Sequence, residues 1–137
     1  MPNTARARLS RKAEPKRVML DRDFAGVRRG QMLFVATPQI VADYIAKIPR
    51  GETRTIPQMR GELARRRKCD ATCPVSTAIF IRLVAEAAIE EIEEGTPQAE
   101  VTPFWRLIAG DYKIARRLPI DGEWIDLQRR LEVDKPQ

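Results

Sequence analysis

Apolar residues recur at helical spacing in three separate stretches of the chain. In "TPQIVADYIAKIPRG", residues 37–51, Thr37 can cap a helix and Pro38 suits its first turn. Apolar side chains then repeat three and four residues apart until Pro49 and Gly51. This pattern predicts an amphipathic helix of about three turns.

A second helix is predicted in "TRTIPQMRGELARRRK", residues 53–68. Thr55 and Gln58 have the spacing of a capping box, with Pro57 in the first turn. Met59 and Leu63, four residues apart, would face the core. The basic run at its end suits the negative end of a helix dipole, which is a purely structural reason for its charge.

A third helix is predicted from Pro74, after Thr72 or Cys73, to Gly95. Its first two turns are apolar and hydroxylated, whereas its last turns carry glutamates that would repel phosphate. The apolar stripe comprises Val75, Ile79, Phe80, Leu83, Val84, Ala87 and Ala88. The glutamates are Glu86, Glu90, Glu91, Glu93 and Glu94.

The segment "TPFWRLIAGDYK", residues 102–113, reads as strand, turn and strand, with the turn at Gly110–Asp111 and the return at 112–115. Asp121 can cap a closing helix. The order predicts a mainly α fold with a small β ribbon, a winged helix-turn-helix domain over residues 31–137. The start of the third helix would be the recognition element and the ribbon the wing.

Positive charge is concentrated near the N-terminus. Residues 1–30 hold nine Lys and Arg against three acids, so their net charge of +6 equals that of the whole chain. We predict a flexible basic tail there, which most simply suggests nucleic acid as the partner and less often an anionic membrane surface. The alternative is a tail that is merely solvated. Residues 1–17 show no apolar periodicity, which argues against an amphipathic membrane helix.

Composition excludes several classes of protein. At 137 residues and 43% hydrophobic, the chain fits one domain with a real core. No apolar run is long enough to span a membrane, and the N-terminus lacks the apolar stretch of a signal peptide, which favours the cytoplasm. Without histidine, Cys69 and Cys73 supply half of a tetrahedral metal site unless two protomers share it. We therefore predict no metal, no cofactor and no enzyme activity, since neither thiol has a general base.

Two motifs resemble a known family. "IPRGETRT" followed by "GELA" is similar to the "I-P-x-G-E-T-R-[ST]-Y-G-E-L-A" signature of alkylguanine DNA alkyltransferases and alkyltransferase-like proteins. "TPFWRLI" lies where that family has "I-P-C-H-R-V-I", and "LQRRLE" resembles its closing helix. The resemblance covers roughly residues 38–132. It implies a winged helix domain that binds the DNA minor groove, flips a base and accepts the alkyl group of the base on cysteine.

The resemblance also implies that the transfer chemistry is absent. The family's cysteine falls on Phe104, its histidine on Trp105 and its following arginine on Arg106. A phenyl ring cannot form a thioether. Alkyltransferase-like proteins also lack the cysteine. They keep DNA binding and base flipping, and they act in DNA repair. Phe104 and Trp105 could stack on a flipped base, although a Pro-Phe-Trp sequence is more often ordinary core.

The residues that accompany base flipping also differ. The family's tyrosine that rotates the nucleotide falls on Ile56, with Arg60 as the other possible match. Its arginine that fills the base stack falls near Ala78, with Arg82 one turn later. The predicted pocket residues are Ile56, Phe104 and Trp105.

Two hypotheses follow. The first is a catalytically inactive DNA-binding protein of the alkyltransferase-like kind, with alkylated DNA as its candidate target. Its predicted DNA contacts are Arg50, Arg54, Arg65, Arg66, Arg67, Lys68, Ser76, Thr77, Arg82, Arg106 and Lys113. The second is a protein-interaction module, in which the acidic end of the third helix pairs with a basic surface, such as the tail of another copy in a homodimer.

Overall fold

The computed structural model of the chain describes residues 4–134. Helices dominate and a small three-stranded sheet accompanies them, so the prediction of a mainly α fold with a small β component is confirmed. The helices are α1 (Ala5–Leu9), α2 (Pro38–Ala46), α3 (Ile56–Arg66), α4 (Pro74–Glu93) and α5 (Gly122–Asp134). The strands are β1 (Lys16–Met19), β2 (Met32–Val35) and β3 (Ala71–Thr72). Short 3-10 turns cover Gln98–Glu100, Phe104–Arg106 and Ala115–Arg117.

The helix starts follow the local sequence signals. The Thr37 hydroxyl accepts a hydrogen bond from the Ile40 N–H at 3.2 Å at the start of α2. Thr55 and Gln58 form the reciprocal capping box of α3, with distances of 2.8 and 3.1 Å. Because these bonds satisfy N–H groups that have no partner inside the helix, the predicted boundaries hold.

The sheet lies in a different part of the chain from the predicted ribbon. β1 pairs antiparallel with β2, and β2 pairs parallel with β3. The short α1 packs on α4, and Ala5 at its start is only 4% exposed. The part of residues 1–30 that the structure describes therefore differs from the predicted tail, since it contributes a helix and a strand that contact the rest of the domain.

The predicted ribbon at residues 104–115 is wrong, because that segment forms 3-10 turns instead of strands. The reason lies in which side chains are buried. Phe104, Leu107 and Ile108 are all fully buried, and residues three and four apart share one face of a helical turn, whereas a strand would bury alternate residues. The Phe104 carbonyl accepts hydrogen bonds from the N–H groups of Leu107 at 3.0 Å and Ile108 at 2.9 Å. This segment therefore satisfies its backbone locally and needs no second strand.

The main core lies between α2, α4, α5 and the turn at 104–106. Phe104 stacks on Trp124 with ring centroids 6.0 Å apart, and Trp105 meets both rings edge-on. Such arrangements are favourable for aromatic pairs beyond the area they bury. Within residues 4–134, no helix has both the length and the apolar character that crossing a membrane would require.

Candidate nucleic-acid interface

A groove of about 450 Å³ opens between α1, the first half of α4 and residues 113–117. Four cationic side chains line it, together with three apolar residues and a single acid. The cations are Arg8, Arg82, Lys113 and Arg117; the apolar residues are Ala78, Ile79 and Ile114; the acid is Glu86. We call these eight residues the basic groove.

The cations of the basic groove differ in their ion pairing, and Arg8 also borders a second cavity that is lined by Glu86, Glu90 and Glu93. The Arg82 Nε lies 3.1 Å from the Glu86 carboxylate, one turn later on α4. Among the described residues, Arg8, Lys113 and Arg117 have no carboxylate oxygen within 4.0 Å. A concave surface with unbalanced charge of one sign concentrates ligands of the opposite sign. The groove is therefore suited to an anion.

The outer face of the first half of α4 is apolar and open. Val75 is 51% exposed and Ile79 is 55% exposed, although both fit the stripe that the sequence predicts to be core. Solvent-exposed side chains of this size are candidates for contact with another molecule. Since Ile79 also lines the basic groove, the apolar face and the cations form one continuous surface.

A close contact between two glycines fixes one wall of the groove. A Cβ atom on Gly110 would overlap the carbonyl oxygen of Gly122, and a Cβ on Gly122 would overlap that of Gly110. The Gly110 N–H also donates a hydrogen bond to the Asp126 carboxylate at 2.8 Å. These contacts attach the segment that carries Lys113 and Arg117 to the start of α5. Gly110 therefore serves close approach, and with Asp111 it also forms the predicted turn, closed by a hydrogen bond from the Tyr112 N–H to the Ala109 carbonyl at 3.2 Å, although 3-10 turns and not strands flank it.

Of the predicted DNA contacts, only Arg82 and Lys113 line this groove. The basic run at the end of α3 forms a second exposed surface, at residues 65–68. Within it, the Arg66 guanidinium lies 5.5 Å from the centre of the Tyr44 ring and 4.0 Å from Glu62. The Arg67 guanidinium lies 5.1 Å from the ring of Phe34. These arginines thus have packing roles as well as charge.

Arg106, a predicted DNA contact, is bonded to other parts of the same chain. Its Nε and Nη2 atoms donate to the two carboxylate oxygens of Glu132 at 3.0 and 2.9 Å, and its Nη1 donates to the Ile48 carbonyl at 2.7 Å. The Arg50 guanidinium lies 3.6 Å from the same carboxylate. Burial alone would raise the pKa of Glu132, but the hydrogen bonds and charge of Arg106 outweigh it and hold that pKa below its ordinary value.

Two other predicted contacts, Ser76 and Thr77, have buried hydroxyls, and a third, Arg54, is in a partly exposed ion pair. The Thr77 side chain is fully buried, and the hydroxyls of Ser76 and Thr77 lie inside the protein with no hydrogen-bond partner among residues 4–134. They occupy a side of α4 that packs inward, so they cannot face a groove of DNA. Arg54 forms an ion pair with Glu52 at 3.0 Å.

Of the predicted pocket residues, Trp105 lines a cavity of about 730 Å³ together with Arg50, Arg106 and Glu132, but almost all of its ring lies inside the core. Phe104 is fully buried and Trp105 is 2% exposed, with their rings packed on each other and on Trp124. Ile56 begins α3 and packs against the same core. The alternative, that Pro-Phe-Trp is ordinary core, fits these contacts.

Sequence reasoning missed Arg8, Arg117 and the exposure of Ile79. Arg8 lies in the predicted flexible tail, although Thr4 followed by Ala5 and Leu9, four residues apart, is the signal of a short capped helix. No local signal distinguishes Arg117 from the adjacent Arg116. Their difference depends on the position of the turn at 115–117 relative to α4.

The two cysteines are free, with Cys69 partly buried and Cys73 buried. Across residues 4–134 the structure has no cluster of three or more His, Cys, Asp or Glu side chains that could hold a metal ion. Comparisons of the chain with models of protein families, with curated proteins and with solved structures found no match. The resemblance to alkyltransferases therefore stays a prediction.

Proposed function

We propose that this chain is a non-enzymatic DNA-binding protein that holds the phosphate backbone in the basic groove. The observation that carries the proposal is the convergence of four cations from three separate segments on one concave surface with a single acid. Phosphate contacts from Arg and Lys supply essentially all of the sequence-independent affinity of proteins for DNA. The exposed Val75 and Ile79 would contact sugars or the methyl groups of thymine beside that backbone.

The helix order supports a helix-turn-helix version of this proposal. Residues 67–73, which include β3, connect α3 to α4, and in this proposal the open first half of α4 serves as the recognition helix. In this proposal the segment at residues 109–117 takes the place of the β wing. The basic end of α3, at residues 65–68, would add phosphate contacts beside the recognition helix.

The alternative of a protein-interaction module through the acidic end of α4 has less support. The Glu90 and Glu94 carboxylates are bonded to the backbone and side chain of Arg6 in the same chain. A basic partner would have to displace these contacts first. Recognition of alkylated guanine also has less support, because the rings of Phe104 and Trp105 are inside the core.

Binding of fluorescent duplex DNA at two salt concentrations tests the proposal. If the four cations of the groove each neutralise one phosphate, affinity should fall roughly 100-fold between about 50 and 200 mM salt. Duplexes with and without a central alkylated guanine should bind equally. Absence of binding at low salt would contradict the proposal, and tighter binding of the alkylated duplex would favour a working base pocket.

A pair of double variants locates the site. The salt slope is the steepness with which the logarithm of the affinity falls against the logarithm of the salt concentration. Lys113→Gln with Arg117→Gln removes two cations of the groove and should lower this slope by about two units. Arg22→Gln with Arg130→Gln removes the same charge from exposed positions outside the groove and should change the slope little. Equal effects of the two double variants would show that binding depends on net charge and not on the groove.

A further inference from the structure

The acidic end of α4 holds the N-terminal helix of its own chain. The Glu90 carboxylate accepts hydrogen bonds from the N–H groups of Ala5 at 2.7 Å and Arg6 at 3.1 Å. The Arg6 guanidinium also pairs with Glu94 and lies 3.5 Å from Glu90. Burial would raise the pKa of Glu90, but these bonds and the charge of Arg6 hold it below its ordinary value. The carboxylate is therefore a built-in cap for α1.

Further contacts fix the position of α1. Ala5 packs against Leu83 and Ala87 of α4. The side-chain amide of Gln39, on α2, donates to the carbonyls of Leu9 and Arg11. Side chains from α2 and α4 thus hold α1 in its position.

The docking of α1 has a direct consequence for the basic groove. Arg8 lies on α1 and lines the groove together with Arg82 of α4. A helix of five residues is too short to be stable on its own in water. The position of Arg8 therefore depends on the contacts that attach α1 to α4, and Glu90 makes two hydrogen bonds and one ion pair among them.

We propose that α1 forms one wall of the basic groove and that Glu90 is the positioning residue that holds α1 in place. DNA backbone in the groove would meet Arg8 on one side and Lys113 and Arg117 on the other. This inference rests on the proposed function, because it needs DNA in that groove. Coupling between two equilibria is reciprocal, so bound DNA also stabilises the docked position of α1.

A comparison of Glu90→Gln with Glu91→Gln tests the inference. Both changes remove one negative charge from α4, which by itself favours binding of a polyanion. Among the described residues, the Glu91 side chain has no ion pair or hydrogen bond. We expect Glu91→Gln to leave the affinity for duplex DNA unchanged or slightly higher. Glu90→Gln should lower it about 3- to 10-fold and reduce the salt slope by about one unit, through the loss of Arg8.

Hydrogen exchange of the α1 amides gives a second measurement. Saturating duplex DNA should slow exchange at residues 5–9 in the wild-type chain and in Glu91→Gln, and should have little effect in Glu90→Gln. If the Glu90 carboxylate served only the stability of the fold, bound DNA would not change the hydrogen exchange of the α1 amides in a way that depends on Glu90.

Arg8→Gln keeps the inference testable if Glu90→Gln does not fold. Arg8→Gln should weaken DNA binding as much as Glu90→Gln does. The double variant Arg8→Gln with Glu90→Gln should bind no more weakly than either single variant. Arg22→Gln, the control, should bind like the wild type. Suppose that the wild type binds DNA. If Glu90→Gln then binds as tightly as Glu91→Gln, or Arg8→Gln as tightly as Arg22→Gln, the inference is overturned and the proposed function is not. A wild type that fails to bind duplex DNA at low salt would overturn the proposed function as well.

Discussion

Two arginine–glutamate pairs in this protein have opposite characters. In the basic groove, Arg82 makes one contact with Glu86 on the same helix, and the two side chains are 41% and 21% exposed. In the core, Arg106 makes two hydrogen bonds to Glu132 from a distant segment, and the side chains are 15% and 7% exposed. Exposed pairs contribute little to stability, whereas breaking a buried pair leaves an uncompensated charge. The first pair can exchange partners with a ligand, and the second holds the fold together.

The largest expected effect is on the buried pair. Glu132→Gln should lower the free energy of unfolding by about 3–5 kcal/mol, because it leaves the Arg106 guanidinium buried with one strong partner fewer. Glu86→Gln, the matched change in the exposed pair, should cost about 1 kcal/mol or less. Urea denaturation of both variants measures the difference. Similar losses in the two variants would mean that the pairs do not differ as their burial suggests.

The pH dependence of the same variant sharpens this comparison. Because the folded-state pKa of Glu132 lies below its ordinary value of 4.5, the unfolded state binds its proton first as the pH falls. The contribution of Glu132 is therefore fully present above pH 4.5 and is lost as the pH falls through the lowered pKa. The stability difference between wild type and Glu132→Gln should shrink below pH 4.5. A difference that stays constant in acid would contradict the assigned charge interaction.

A smaller effect on stability is expected at the close contact between Gly110 and Gly122, which supports one wall of the basic groove. Gly110→Ala places a Cβ against the Gly122 carbonyl and should cost about 1–3 kcal/mol of stability. It should also weaken DNA binding, since it displaces the segment with Lys113 and Arg117. Gly61→Ala is the control: its Cβ would meet only the mobile end of Arg65, within helix α3. That change should be neutral or stabilising by about 0.4–1 kcal/mol in thermal unfolding.

How far the sequence predicts this structure depends on how local each signal is. The caps at Thr37 and Thr55 act within three residues, and the helices that they start were predicted correctly. The ribbon was wrong because Phe104, Leu107 and Ile108 are all buried by distant helices, which no alternation in the segment reveals. Tertiary contacts of this kind override local strand patterns.

The candidate site was predicted less well than the helices, for the same reason. Charge alone does not distinguish Arg106, which is bonded to a carboxylate 26 residues away, from Arg82, which lines an open groove. The basic N-terminal segment was recognised as a source of positive charge. Its docking depends on Glu90, which lies 85 residues after Ala5, so only the folded chain brings the two together.

The smallest expected effect uses the exposed pair in the groove itself. Glu86→Gln frees Arg82 from its only ion pair among the described residues and removes the one acid that lines the groove. Affinity for duplex DNA should rise about two- to threefold, in line with the small energy of an exposed pair one turn apart. Glu90, one turn further along α4, should respond in the opposite direction, because its carboxylate holds α1 and Arg8 in place. Titration of both variants with the same duplex compares them directly, and a gain in affinity for both would mean that only net charge matters on this face.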